Sequence, residues 1–385
     1  MKISQRVRNI EESKTTGLMD LVQQMQAAGT EVISFNAGEP DFNAPEPILK
    51  ATIEALKAGK TKYSAVPGLP ALRKAIAAKV HTENGIQAEA ANILVANGSK
   101  QILYNVFQAI CDPGDEVIIP SPYWVTFPEI VKLADGVPVF VETQNHQLDL
   151  AAIEAAITPR TCAILINSPN NPTGAVFPEA DLRAVGQLAL KHDLYVVSDE
   201  AYAGLTYDGT QHISMAALDP AFASRVITTQ SFSKDYCMTG FRVGFLVADK
   251  ALVKAINGLH SHLTGNVCTF AQYGALAALE MDAAIMASMQ ETFQRRLDLA
   301  YPLCTEIFPC VRPQGAFYLF PDVRAYLGER FADDDALAEY LLKEAHVAVV
   351  PGSSFGAPGF LRISFSTSED NIRAGFARIK QALVV

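Results

Sequence analysis

Between residues 93 and 248, short runs rich in branched apolar residues alternate with amphipathic stretches, and this alternation limits the fold more than any other feature. The pattern predicts strands over 93–96, 116–120, 137–142, 162–167, 194–198, 226–230 and 242–248, with helices over 99–110, 127–134, 178–192 and 266–279. Seven such strands, each followed by a polar or glycine-rich segment, indicate an α/β protein whose mostly parallel seven-stranded sheet lies between helices. In open sheets of this kind, ligand groups collect at the carboxyl ends of the strands.

The pattern changes after about residue 283. A long helical stretch over 283–305 leads to GAFYLF, a further helix, VAVV, LRISFS and a final helix, which reads as a smaller α+β domain. The first 45 residues have no place in the sheet and are expected to pack with it. The expected division is a large domain over 46–285 and a small one built from 1–45 and 286–385. With 49% apolar and 19% charged residues, the chain is suited to a compact core and not to disorder.

A net charge of -10 without a basic stripe argues against a nucleic-acid partner, so an anionic ligand has to be met by local cations. The six cysteines form no CxxC pair and read as reduced, mostly buried thiols. The polar start MKISQRVRNIEESK does not resemble a signal peptide, and no apolar run reaches the ~20 residues a membrane-spanning helix needs, so the expected location is the cytoplasm, away from membranes.

The run SFSKDYCMTGFR, from Ser231 to Arg242, carries the most chemistry. Lys234 stands among the hydroxyls of Ser231 and Ser233 and the guanidinium of Arg242. An amine that captures an aldehyde must react uncharged, and burial beside a cation favours that form. With hydroxyls and an arginine to neutralise a phosphate, the set suits pyridoxal phosphate. Asn97-Gly98-Ser99-Lys100 opens a helix after a strand, which suits a phosphate seat. Asp199 closes LYVVSD, where a carboxylate can keep a pyridine nitrogen protonated. Asn171, before Pro172, and the Tyr202 hydroxyl can hold the phenolic oxygen, and Trp124, the only tryptophan, can stack on a flat ring. Each segment also has an ordinary reading: helix cap, turn, or core tryptophan.

The order of these segments decides between the readings. GSK at 98–100, PYW at 122–124, NNPTG at 170–174, SDEAY at 198–202 and SFSK with GFR at 231–242 together resemble the fold-type I pyridoxal-phosphate enzymes, and within them the class I aminotransferases of the bacterial aspartate aminotransferase type. The resemblance extends from NAGEPDF at 36–42 and TKYSAVPG at 61–68 to GAFY at 315–318 and FLRIS at 360–364.

The resemblance implies that Lys234 is the Schiff-base lysine and proton carrier and that Asp199 partners the ring nitrogen. Asn171 and Tyr202 would hold the phenolate oxygen, and Trp124 would stack on the ring. Gly98, Ser99, Lys100, Ser231, Ser233 and Arg242 would surround the phosphate, joined by Tyr63 from a neighbouring subunit, which implies a homodimer. Arg362 and the Gly38 backbone would grip the substrate α-carboxylate, a task suited to a planar guanidinium fork. Lys100 and Thr16 would recognise a distal carboxylate and favour L-aspartate as donor, with 2-oxoglutarate as acceptor in a ping-pong reaction. Phe241, Asp235 and Cys237 depart from the commonest family pattern. Other reactions on the same scaffold (β-elimination, decarboxylation, cyclisation), a preference for aromatic or other neutral amino acids, and a ligand-sensing role remain as alternatives.

Overall fold

A computed structural model describes residues 2–11 and 14–383. Its strands are β1 (Ile33–Ser34), β2 (Ile93–Ala96), β3 (Glu116–Ser121), β4 (Val137–Glu142), β5 (Thr161–Asn167), β6 (Tyr195–Asp199), β7 (Val226–Ser231), β8 (Gly244–Val247), β9 (Tyr318–Leu319), β10 (Val347–Ala348), β11 (Val350–Pro351) and β12 (Leu361–Ser364). Among the described residues, seven form one sheet in the order β2-β8-β7-β6-β5-β3-β4. The neighbours from β7 through β4 run parallel, while β8 is antiparallel to both β7 and β2. The expected α/β architecture is therefore present.

Helices cover both faces, and the two-residue period of the strands divides their side chains between them. Val117, Ile119, Leu165 and Val197 pack with the helices Ser99–Ile110, Thr126–Leu133 and Lys250–Leu263. Ile118, Ile164, Ile166 and Val196 point the other way, toward Leu150–Ala156 and Glu179–His192. With both faces buried the strands read as nearly continuous apolar runs, which is why they are legible in the sequence.

A three-stranded antiparallel sheet in the order β11-β12-β9 packs with the helices Ala283–Thr305, Asp334–Glu344 and Glu369–Leu383. Their shared core takes in Phe293, Leu297, Phe317, Leu341, Ile363 and Phe376, and also Tyr202 and Leu205 from the turn after β6. The segment before residue 45 joins this part of the fold, since β1 pairs in parallel with β10.

Three readings need correction. The last strand of the large sheet begins at Gly244 and not at residue 242, because Arg242 adopts a left-handed conformation (φ 55°) after the turn Thr239–Phe241. Only Cys237 and Cys304 are buried; the other four thiols are partly exposed, though all six are free. The helices Glu46–Lys57, Pro70–Asn84, Leu150–Ala156 and Lys250–Leu263 are further elements that the strand-and-helix pattern above did not include.

One glycine fastens the two parts together beside the site. Gly174 has φ 68°, and its carbonyl accepts from the N–H groups of Gln314 and Gly315 at 2.9 and 2.8 Å. A Cβ there would fall 2.4 Å from Pro313 Cβ and 2.7 Å from the Gly315 oxygen. Gly174→Ala should therefore destabilise the fold by about 3 kcal/mol through conformational strain and overpacking. Urea unfolding measures this directly, and a change below about 0.5 kcal/mol would contradict the account.

Candidate active site

The ends of β5, β6 and β7 meet the first turn of the helix Ser99–Ile110 around two adjoining cavities of about 150 and 330 Å³, which share Gly38, Ser99, Trp124, Ala201 and Lys234 in their walls. β7 ends at Ser231, whose hydroxyl accepts from the Ser233 N–H at 3.0 Å and so caps the single helical turn Phe232–Asp235. That turn aims Lys234 inward, where its Nζ donates to the Gly38 carbonyl. Burial is the main cause lowering the Lys234 pKa to about 8; Glu39 opposes the shift, while Arg362, Arg242 and Lys100 add to it.

Asp199 lies at the carboxyl end of β6 and is 3% exposed. Burial pushes its carboxyl up to about 7, against hydrogen bonds from the Ala201 N–H at 3.2 Å and the Thr229 hydroxyl at 3.3 Å. A carboxyl held this way gains strongly from a cation beside it. Asn167 ends the adjacent strand, donating from Nδ2 to the Asp199 carbonyl at 3.0 Å and accepting from the Asn171 N–H at 2.9 Å. Asn171 Nδ2 in turn donates to the Tyr202 hydroxyl at 3.4 Å, and that hydroxyl lies 3.0 Å from the Tyr318 hydroxyl.

The larger cavity is lined by Ser99, Lys100, Ser231, Ser233 and Arg242. Gly98, with φ 79°, turns the chain into the helix. A Cβ at this position would lie 2.7 Å from Arg242 Nη2, so only glycine lets the guanidinium close over the helix start. Arg242 is anchored by donation from Nη1 to the Thr239 carbonyl at 2.9 Å. Helix N–H groups, three hydroxyls and a guanidinium make a seat for a dianionic phosphate.

Arg362 reaches the smaller cavity from β12, where Leu361 and Ile363 face the core and the strand period turns Arg362 the other way. It is 3% exposed and has no carboxylate partner among the described residues. Nη1 donates to Asn171 Oδ1 and Nη2 to the Asn36 carbonyl, both at 3.1 Å, while Nε has no partner among the described residues. The Tyr318 and Phe355 rings lie 4.4 and 4.9 Å from the guanidinium. In the neighbouring cavity Lys100 Nζ sits 5.0 Å from the Trp124 ring centre, its pKa lowered by burial and by Arg242.

The structure thus brings Lys234, Asp199, Asn171, Tyr202, Trp124, Gly38 and Arg362 to one cavity, and Ser99, Lys100, Ser231, Ser233 and Arg242 to its neighbour. Tyr63 is absent from both walls and stands 98% exposed. The Thr16 side chain lies outside the described residues. Sequence reasoning missed Asn36, Asn167, Tyr318 and Phe355. GAFY and CAILIN contain two of them, but a strand-end asparagine or tyrosine looks like any other core-flanking residue.

A lowered amine, a buried acid that wants a cation, and a phosphate seat closed by Arg242 over Gly98 fit the aldehyde, ring nitrogen and phosphate of pyridoxal phosphate. Comparison with known proteins agrees. Residues 30–379 match the family model for aminotransferase class I and II. An aspartate aminotransferase of Geobacillus stearothermophilus is 44% identical over 98% of each chain. A probable aspartate/prephenate aminotransferase of Aquifex aeolicus is 43% identical over 99% of this chain and 98% of its own. The solved structure of Thermus thermophilus aspartate aminotransferase with maleate superposes with a TM-score of 0.95 at 41% identity, covering both chains fully. No helix among the described residues is long and apolar enough to cross a membrane. On the site geometry and these matches together, the chain belongs to the class I and II aminotransferases and is a pyridoxal-phosphate-dependent enzyme acting on small molecules.

Proposed function

We propose that the enzyme moves the amino group of L-aspartate to 2-oxoglutarate by a ping-pong mechanism. The observation that carries this reading is Arg362, a buried guanidinium facing the same cavity as Lys234, with no counter-ion and no Nε partner among the described residues. A substrate α-carboxylate would supply the missing charge in a two-pronged hydrogen bond, with the Gly38 N–H as a further donor. Lys100 and Thr16 would take the distal carboxylate. The names of the relatives support aspartate, and the maleate in the Thermus thermophilus structure supports a dicarboxylic ligand. Several relatives are named aspartate/prephenate aminotransferase, which favours prephenate as a second amino acceptor.

When bound, pyridoxal phosphate supplies an electron sink for the bonds of the substrate α-carbon. Lys234 would hold the cofactor and would carry the proton at that carbon, its lowered pKa leaving a usable neutral fraction at working pH. Asp199 would keep the ring nitrogen protonated, Asn171 and Tyr202 would hold the phenolic oxygen, and Trp124 would stack on the ring. Gly98, Ser99, Lys100, Ser231, Ser233 and Arg242 would bind the phosphate. Residues 46–285 would form the cofactor-binding domain, with 1–45 and 286–385 as the smaller domain that supplies Arg362. A cytoplasmic location fits the free thiols.

Tyr63 fits a homodimer in which it reaches the partner's phosphate, since a tyrosine this exposed suits a covered face. Sedimentation should give a dimer, and a fully active monomer would exclude this arrangement.

Mixing the loaded enzyme with L-aspartate alone should convert the visible absorbance to that of the amine-bearing cofactor and release one equivalent of oxaloacetate. 2-Oxoglutarate should then restore the starting spectrum. The reading fails if aspartate leaves the spectrum unchanged or if Lys234→Ala turns over normally.

The lysine must be neutral to capture the cofactor aldehyde, and its folded pKa is about 8. The rate at which apoprotein takes up pyridoxal phosphate should therefore rise about tenfold per pH unit below pH 8 and level off above it. A rate that keeps rising through pH 10 would mean that Lys234 keeps its ordinary basicity.

A further inference from the structure

We infer that Cys111 and Cys162 form a modification site for hydroperoxides: Cys162 is oxidised first, and Cys111 then closes an intramolecular disulfide with it that reducing thiols reopen. The pair is separate from the candidate active site, since Cys111 follows the helix Ser99–Ile110 at the end opposite Ser99.

The two sulfurs lie 3.4 Å apart although 51 residues separate them in the chain. Both residues are partly exposed, which opens the pair to a small oxidant. A disulfide places its sulfurs about 2.05 Å apart, so closing this pair takes an approach of about 1.4 Å.

An irregularity in the sheet brings Cys162 to this place. Along β5, Ala163 and Leu165 pack on the face that carries the helix Ser99–Ile110, while Ile164 and Ile166 pack on the other. The two-residue period alone would send Cys162 to the second face, yet it packs on the first, as Cys111 does. The cause is a bulge: Glu116 of β3 pairs with Thr161 and Val117 with Ala163, which leaves Cys162 as the extra residue. Pairing with β6 begins only at Ala163. A bulged residue stands outside the register, and its side chain is re-aimed. Cys111 is also outside a regular element, in extended conformation (φ -107°, ψ 129°) between the helix end and the turn at 112–115. Side-chain rotation with a small backbone shift at these two positions supplies the approach.

The surroundings set the order of events. The hydrogen bond with Cys162, burial, and the charges of Cys162, Asp115 and Asp112 all raise the Cys111 pKa, so Cys111 keeps its proton. The Cys162 sulfur therefore attacks the hydroperoxide; the O–O bond breaks, giving a sulfenic acid and an alcohol, or water when the oxidant is hydrogen peroxide. The Cys111 sulfur then attacks the sulfenic sulfur. The S–O bond breaks, and the hydroxyl leaves as water with the Cys111 proton. Two thiols are oxidised by two electrons, and the peroxide is reduced by the same two. In a reducing compartment such a bond is transient.

The test exposes the loaded enzyme to excess hydrogen peroxide, then denatures, alkylates and digests it. Cys111 and Cys162 should lose alkylation together, leaving four of the six thiols, and should appear as one joined peptide pair; dithiothreitol should return all six. Cys304 also meets Cys310, but Cys304 is fully buried, so this second pair should stay reduced. A diketone probe for sulfenic acid should label Cys162 in Cys111→Ser, where the closing thiol is gone. In Cys162→Ser it should label Cys111 at least about tenfold more slowly. The joined peptide is read on the parent protein, so the result stands even if a variant fails to fold. The inference is overturned if the treated parent keeps all six thiols, or if the link joins Cys304 to Cys310 instead. Equal labelling rates in the two variants would overturn it as well.

Discussion

The site is built on an electrostatic imbalance: Lys234, Lys100, Arg242 and Arg362 gather around two small cavities with too few carboxylates to neutralise them. Glu39 and Asp199 are the acidic groups in those walls, and Asp199 itself resists ionisation. The rest of the binding comes from neutral oxygens and rings. Gly38 and Asn36 carbonyls take Lys234 and Arg362, the Thr239 carbonyl takes Arg242, and Tyr318 and Phe355 flank Arg362. A buried cation without a counter-ion, as Arg362 is among the described residues, is unstable unless the surrounding fold is firm, and it binds an anion strongly once one arrives. Burial, with a smaller contribution from the same crowding, lowers the Lys234 pKa, so the arrangement that attracts a phosphate and carboxylates also helps free the amine to react.

Holding such a cluster requires two firmly joined bodies. The large sheet supplies Asp199, Ser231 and the Lys234 turn from adjacent strand ends, while Arg362 arrives from an antiparallel strand formed more than a hundred residues later. The two meet through Tyr202 and Leu205, which leave β6 and enter the apolar core around Phe293 and Phe317, and through the Gly174 carbonyl bonded to 314–315. Asn171 completes the link, since one amide touches Arg362 on one side and Tyr202 on the other. The proposed grip on substrate and the proposed hold on the cofactor oxygen would thus share a single side chain.

How much of this was legible in the sequence follows from which forces act locally. β2 and the helices Ser99–Ile110 and Ala283–Thr305 match the expected spans because burial on both faces, or a sustained helical period, writes itself directly into residue order. Arg242 was misplaced inside a strand because β-branched neighbours follow it, whereas its left-handed backbone is set by the need to close over Gly98, a contact across 144 residues. Tyr318 and Asn167 gave no signal because their importance lies in partners from other strands. Arg362 was placed only through resemblance. In sequence it is an arginine on a strand, and nothing nearby states that it will be buried without a carboxylate.

The two adjacent carboxylates after β6 show how the fold assigns opposite roles to like residues. Asp199 and Glu200 are both buried, and successive residues leave a strand on opposite sides. Burial raises both, but around Glu200 it is outweighed by His212 at 3.0 Å, Ser214 at 2.6 Å and Gln230 at 3.1 Å, so its pKa falls. Ser198 adds a fourth donor at 3.0 Å. Asp199 receives only one backbone N–H and one hydroxyl, both beyond 3.1 Å, and its pKa rises to about 7. Glu200 is therefore satisfied by the protein and can act as a fixed structural charge. Asp199 is left undersatisfied on the cavity side, where Lys234 offsets only part of the cost of burial, so its ionised form gains from a further cation. That incompleteness favours a protonated ring nitrogen over a neutral one, and it arises from the uneven supply of donors on the two sides of one strand end.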